Sequence, residues 1–169
     1  MKKFLNIGYW AILVFYVLLL VDIVFMARDS LRSVNFIPFH SIKDYIMVDN
    51  GLGEIRLLDV NIWGNILMFI PAGIYVTLHN AKKTISHNLL FIVIISLFIE
   101  IVQFIFTLGA TDIDDIILNM FGGLIGIVIF KALNKWLKDE YKVKITITVL
   151  SLVIGLPIVA LTVLLIIVN

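Results

Sequence analysis

Residues Asn88 to Leu108 read NLLFIVIISLFIEIVQFIFTL, an apolar run whose one charge is Glu100. A helix rises about 1.5 Å per residue, so this stretch is long enough to cross the ~30 Å hydrocarbon core of a bilayer. A soluble helix of that length would show one polar face to water; here the residues facing every direction are apolar except a few. Four further stretches qualify on the same grounds. Ile7 to Ala27 is broken only by Asp22, and Ile62 to Leu78 lies inside a charge-free run from Val60 to Ala81. Ile116 to Leu133 is the shortest, with Lys131 able to snorkel to the interface. Ile145 to Val168 carries no charge, and Gly155 and Pro157 near its middle predict a kink of the kind bilayer helices tolerate.

The whole chain agrees with that reading. It has 169 residues, 62% hydrophobic and 15% charged, with a mean hydropathy of +1.11. A soluble domain carries roughly 25% charged residues. The expected fold is therefore an all-α integral membrane protein, a single membrane domain over residues 1–169 built as a bundle of five transmembrane helices. The first stretch reads as a span, not a cleaved signal peptide. It is too long, and Phe25-Met26-Ala27 lacks small residues at both cleavage positions. The absence of cysteine excludes disulfides and thiol chemistry. A net charge of +1 excludes a nucleic-acid binder, which needs a clustered basic excess.

That net charge conceals a polarity. Lys and Arg gather on the cytoplasmic side of membrane proteins. With the N-terminus cytoplasmic, the inner segments hold Lys2, Lys3, Lys82, Lys83, Lys131, Lys135, Lys138, Lys142 and Lys144. The outer side then holds Arg28, Arg32, Lys43 and Arg56. Of the acids, only Asp139 and Glu140 fall inside. The sequence thus predicts a cytoplasmic N-terminus, a C-terminus outside and an acidic outer half.

Polar groups within spans are costly and mark function by default. Glu100, Gln103 and Thr107 share one helix face. Asp112, Asp114 and Asp115 open the fourth span, with Asn119 one turn beyond Asp115. Asn61 and Asn65 form a similar pair at the start of the second span, and Asp22 lies in the outer third of the first. All fall in the predicted outer half, where they can converge on one polar pocket. Its expected ligand-binding residues are Asn61, Asn65, Glu100, Gln103, Asp112, Asp114, Asp115 and Asn119. Hard oxygen donors suit a divalent cation, with Glu100, Asp112 and Asp115 the candidates. The helix starts of the second and fourth spans would favour a phosphate headgroup.

Structural readings stand beside these. Asp114 or Asp115 serves equally as a helix cap, Asn and Gln as interhelical hydrogen-bonding groups, and Gly122 and Gly126 as a close-packing face. Asp22 is a structural partner for Arg28 or Arg32. The outer loop from Arg28 to Asn61 contains Val34-Asn35-Phe36-Ile37-Pro38-Phe39-His40, then Ile42, Tyr45 and Ile46. This mixture reads either as an element in the headgroup plane or as a loop packed on the bundle. Asp49 to Gly53 is a turn signal.

Three segments carry a resemblance. Asn61-Ile62-Trp63-Gly64-Asn65 through Pro71-Ala72-Gly73 resembles the Asn-rich entry to the second span of VanZ-like proteins. Glu100-Ile101-Val102-Gln103 followed by Asp112-Ile113-Asp114-Asp115, Asn119 and Gly122 is similar to that family's second signature. Asn35-Phe36-Ile37-Pro38-Phe39 resembles its first outer loop. The likeness covers residues 22–131, leaving 145–168 as an additional C-terminal helix. At Ala110 many relatives carry an arginine, so an anion-binding role for it does not transfer.

The resemblance implies a protein of the Gram-positive cell membrane, associated with resistance to the glycopeptide teicoplanin. Membrane lipids, a lipid-linked cell-wall precursor or the glycopeptide itself are the partners it implies. The other functional reading is a membrane enzyme that uses the acidic cluster, with a divalent cation, on a phosphorylated lipid. A transporter is disfavoured, since the spans show no paired half-repeats.

Overall fold

The structure is a computed structural model and describes residues 2–25, 34–46, 60–80 and 84–168. The Asp49 to Gly53 turn, Arg28, Arg32, Arg56, Lys82 and Lys83 lie outside the described residues. The elements are α1 (Lys2–Phe25), β1 (Val34–Asn35), α2 (His40–Ile46), α3 (Val60–His79), α4 (Ile85–Phe106), β2 (Thr111–Asp112), α5 (Ile113–Leu137) and α6 (Glu140–Val168). Five of these helices, α1, α3, α4, α5 and α6, are long and apolar enough to cross a membrane. The protein is an all-α, multi-pass membrane protein whose one departure among the described residues is the two-residue parallel pair of β1 and β2, with Val34 opposite Thr111 and Asn35 opposite Asp112.

Each of the five long helices starts before the apolar stretch that predicts it. The fourth begins at Ile113 rather than Ile116 and runs to Leu137, because Asp114 and Asp115 are drawn into the helix start by partners described below. The fifth begins at Glu140, where the Asp139 carboxylate accepts the N–H groups of Tyr141 (2.8 Å) and Lys142 (3.4 Å) as an N-cap. The α6 helix continues through Gly155 and Pro157.

The chain divides into two compact units, Met1–Asp22 with Leu133–Asn169, and Ile23–Ala132. In the first unit, Lys144 Nζ donates to Asn6 Oδ1 at 3.1 Å and stands 4.5 Å from the centroid of the Tyr9 ring. Tyr9, Ile12, Val143, Ile147 and Thr148 are buried there, and Thr148 returns its hydroxyl to the Lys144 carbonyl at 2.8 Å.

The second unit buries polar side chains among core residues such as Phe69, Ile92 and Phe130 and turns many large apolar ones outward, unlike a soluble bundle. On α4 the buried residues are Asn88, Ile92, Ser96, Ile99, Glu100 and Gln103, while Leu90, Phe91, Ile94, Leu97, Phe98, Ile101 and Ile105 are exposed. Only a hydrocarbon solvent favours that arrangement. Against this face α5 runs antiparallel, Asn119 meeting Ser96 and Asp112 meeting Glu100. The α3 and α5 helices run the same way in backbone contact. A Cβ built on Gly122 would run into the carbonyl of Ile66, and one on Gly126 into that of Ile70. The small-residue face predicted from the sequence therefore packs helix on helix. Both helices consequently start at the same end of the unit, where α4 finishes.

Candidate functional site

At that end lies the acidic segment. The backbone turns out of α4 through Thr107, which takes a left-handed conformation (φ 56°) and donates its N–H to the Gln103 carbonyl, and through Gly109 (φ 110°). Four residues separate α4 from β2, and α5 follows at once, so the three aspartates sit where the helix start is positive.

Between them the three aspartates hold β1, α2 and α3. Asp112 is the N-cap of α5. Its Oδ1 accepts the Asp114 N–H at 2.9 Å and the Asn35 side-chain amide at 3.0 Å, and its Oδ2 accepts the Ser41 hydroxyl. Its own N–H donates to Glu100 Oε2 at 2.9 Å, which ties the helix start back to the interior of α4. Asp114 is 1% exposed. It caps α2 rather than its own helix, accepting the N–H of Phe39 at 2.5 Å and of Ile42 at 3.1 Å. Phe39 has φ of 64°, a conformation that costs a bulky residue of order 1 kcal/mol or more. The charge-assisted bond offsets it, such bonds contributing about 1.5–3 kcal/mol. Asp115 points to α3, where Asn65 Nδ2 donates to its Oδ1 at 2.6 Å.

Of the eight residues expected in the pocket, Asn65, Glu100, Gln103, Asp112, Asp114, Asp115 and Asn119 are buried in this one unit. Asn61, in the first turn of α3, is exposed. Asp22 is an exposed residue of the other compact unit. Gln103 donates to the Val24 carbonyl at the end of α1 (3.1 Å), and Asn119 donates to Ser96 Oγ at 2.9 Å. The Gln103 Oε1 and Asn119 Oδ1 oxygens remain buried without a hydrogen-bond partner, each leaving about 1–3 kcal/mol of desolvation uncompensated.

The metal candidates Glu100, Asp112 and Asp115 are each engaged by protein donors, and among the described residues no group of three His, Asp or Glu side chains is gathered for a metal. The α5 helix start, expected to favour a phosphate, carries three carboxylates of its own. The sequence reading missed Ser41 and Ser96 as members of the cluster, and it took Asn35 as part of the outer-loop segment and of the resemblance, not as a partner of Asp112. Ser96 was findable, being one turn before Glu100 on the same face. The Asn35 and Ser41 contacts span more than seventy residues, and no local pattern announces them.

Buried carboxylates at one end of a polar-cored helical bundle, latching a short loop between spans, define a class of multi-pass membrane protein. The chain belongs to the VanZ/LLP1 family, whose match covers residues 7–134. It is similar to Protein VanZ of Enterococcus faecium, at 31% identity over 110 residues, which is 64% of this chain and 59% of that protein. The chain thus spans less than two thirds of that relative's length. No solved structure matches it.

Proposed function

We propose that the protein lies in the cell membrane with the latched acidic end on the outer face. There it lowers susceptibility to teicoplanin-type glycopeptides by contact with a lipid-linked cell-wall precursor. The observation that carries this reading is the convergence of Glu100, Asp112, Asp114 and Asp115, from two helices and the turn between them, on one end of the bundle. The excess of lysines in the segments that would face the cytoplasm favours the orientation. The likeness to Protein VanZ supports the link to glycopeptides.

Burying carboxyl groups is costly unless they are hydrogen-bonded, and four of them gathered at one helix junction mark it as the functional end by the rule that polar groups within membrane proteins are functional candidates. The loop they hold, residues 34–46, is the part of the site presented outward, and it forms the contact face for a headgroup.

Expressed in a susceptible Gram-positive host, the wild-type chain is expected to raise the teicoplanin concentration needed to inhibit growth. Asp114→Asn and Glu100→Gln are expected to abolish that rise while the protein remains in the membrane fraction at wild-type level. Retention of the full phenotype by both variants would overturn the role assigned to the cluster.

A further inference from the structure

We propose that residues 36–39 form a lipid-inserted foot, seated in the leaflet at the level where the helices of the second unit end. This inference does not depend on which precursor the protein meets.

Phe36, Ile37 and Phe39 are 67%, 63% and 59% exposed, and Pro38 between them is exposed as well. Four consecutive apolar residues facing outward would be a liability in water. Their backbone is arranged for a different solvent. The Ile37 N–H donates to Asn35 Oδ1 at 3.0 Å, and those of Phe39 and Ile42 to the Asp114 carboxylate. The N–H groups of His40 and Lys43 go to the carbonyls of Ile37 and Phe39, at 3.3 and 3.0 Å. Pro38 has no N–H to place. Donors met within the protein can leave water, since hydrocarbon supplies no partner for an unpaired one.

The segment is thus two-sided. Asn35, Ser41 and the backbone donors face Asp112 and Asp114, and the apolar side chains face away from them. Its height follows from the strand pair. Asn35 sits opposite Asp112, between the end of α4 and the start of α5, so Phe36 begins one residue beyond the junction of two spans. The same end of the unit carries exposed Trp63, on the first turn of α3, and exposed Phe104 and Phe106, on the last turn of α4. Tryptophan at a span end marks the membrane–water boundary, so Trp63 places the foot near that level, and the phenylalanines continue its apolar surface. Lipid is the occupant that meets both the apolar tip and the internally paired backbone.

The chain has no cysteine, so single nitroxide labels can be placed on it without a background. Labels at Phe36→Cys and Ile37→Cys would be compared with Phe98→Cys, on the exposed flank of α4, and Lys138→Cys, in the α5–α6 connection. All would be reconstituted in vesicles of phosphatidylcholine and phosphatidylglycerol. The measurement is the ratio of collision rates with oxygen, which concentrates in lipid, and with a water-soluble nickel chelate. The expected ratio at positions 36 and 37 is severalfold above that at Lys138 and on the lipid side, nearer to Phe98. A ratio equal to that at Lys138 would overturn the foot, as would low collision rates with both reagents, which would mean protein cover. Asp114→Asn is expected to move the ratio at position 37 toward the Lys138 value. An unchanged ratio would overturn the latch's part in seating the foot.

Discussion

Both oxygens of Asp114 are taken by backbone N–H groups that lie more than seventy residues earlier in the chain. Asp112 accepts a hydroxyl, a side-chain amide and the N–H that starts α5. The signature Asp112-Ile113-Asp114-Asp115 is therefore three separate fastenings. Asp112 holds β1 and α2, Asp114 the start of α2, and Asp115 the start of α3. An amide in place of Asp112 would weaken the three bonds and would turn an NH₂ either to Ser41, whose hydroxyl would have to reverse and accept, or to the Asn35 amide and Asp114 N–H, which only donate. Asp112→Asn is expected to free the 34–46 segment while the long helices persist. Limited proteolysis should show cleavage there at least tenfold faster than in the wild type, with the helical circular-dichroism signal retained. Equal cleavage rates would show that Asp112 does not fasten the loop.

At the scale of the element, the same residues explain what was legible in the sequence. Apolar length alone locates all five spans, because crossing hydrocarbon demands it wherever the chain goes next. The start of the fourth span was not legible. Asp114 and Asp115 read as candidate caps ahead of its apolar run until their partners on α2 and α3 are known, and those partners are set by tertiary contact. The polar face of α4 was legible from the spacing of Glu100 and Gln103, and the Gly122 and Gly126 face from its four-residue step.

Packing at these glycines yields a contrast. On Gly126 a side chain would meet the backbone of α3, which cannot yield, whereas on Gly155 it would meet the far end of the flexible Ile12 side chain. Overpacking against backbone costs about 1–3 kcal/mol or more. In a thermal melt of the purified protein in detergent, Gly126→Leu is expected to lower the midpoint by several degrees. Gly155→Ala should change it by a degree or two at most. Equal midpoints for the two variants would remove the close α3–α5 approach from the account.

At the scale of the whole molecule, the proposed orientation makes the net charge of +1 a cancellation between basic inner segments and acidic outer ones. It gives the molecule a direction that neither fold nor hydropathy supplies. Five spans place the segment before α3 and the connection after α5 on opposite sides of the membrane. Every part of the functional reading, from precursor contact to glycopeptide susceptibility, requires the latched end to be the outer one. The measurement that bears on it most directly is labelling of single cysteines by a membrane-impermeant maleimide in intact cells. Lys43→Cys, exposed on α2, is predicted to react in intact cells, and Lys138→Cys only after the membrane is opened. The reverse pattern would place the acidic latch in the cytoplasm and contradict the account.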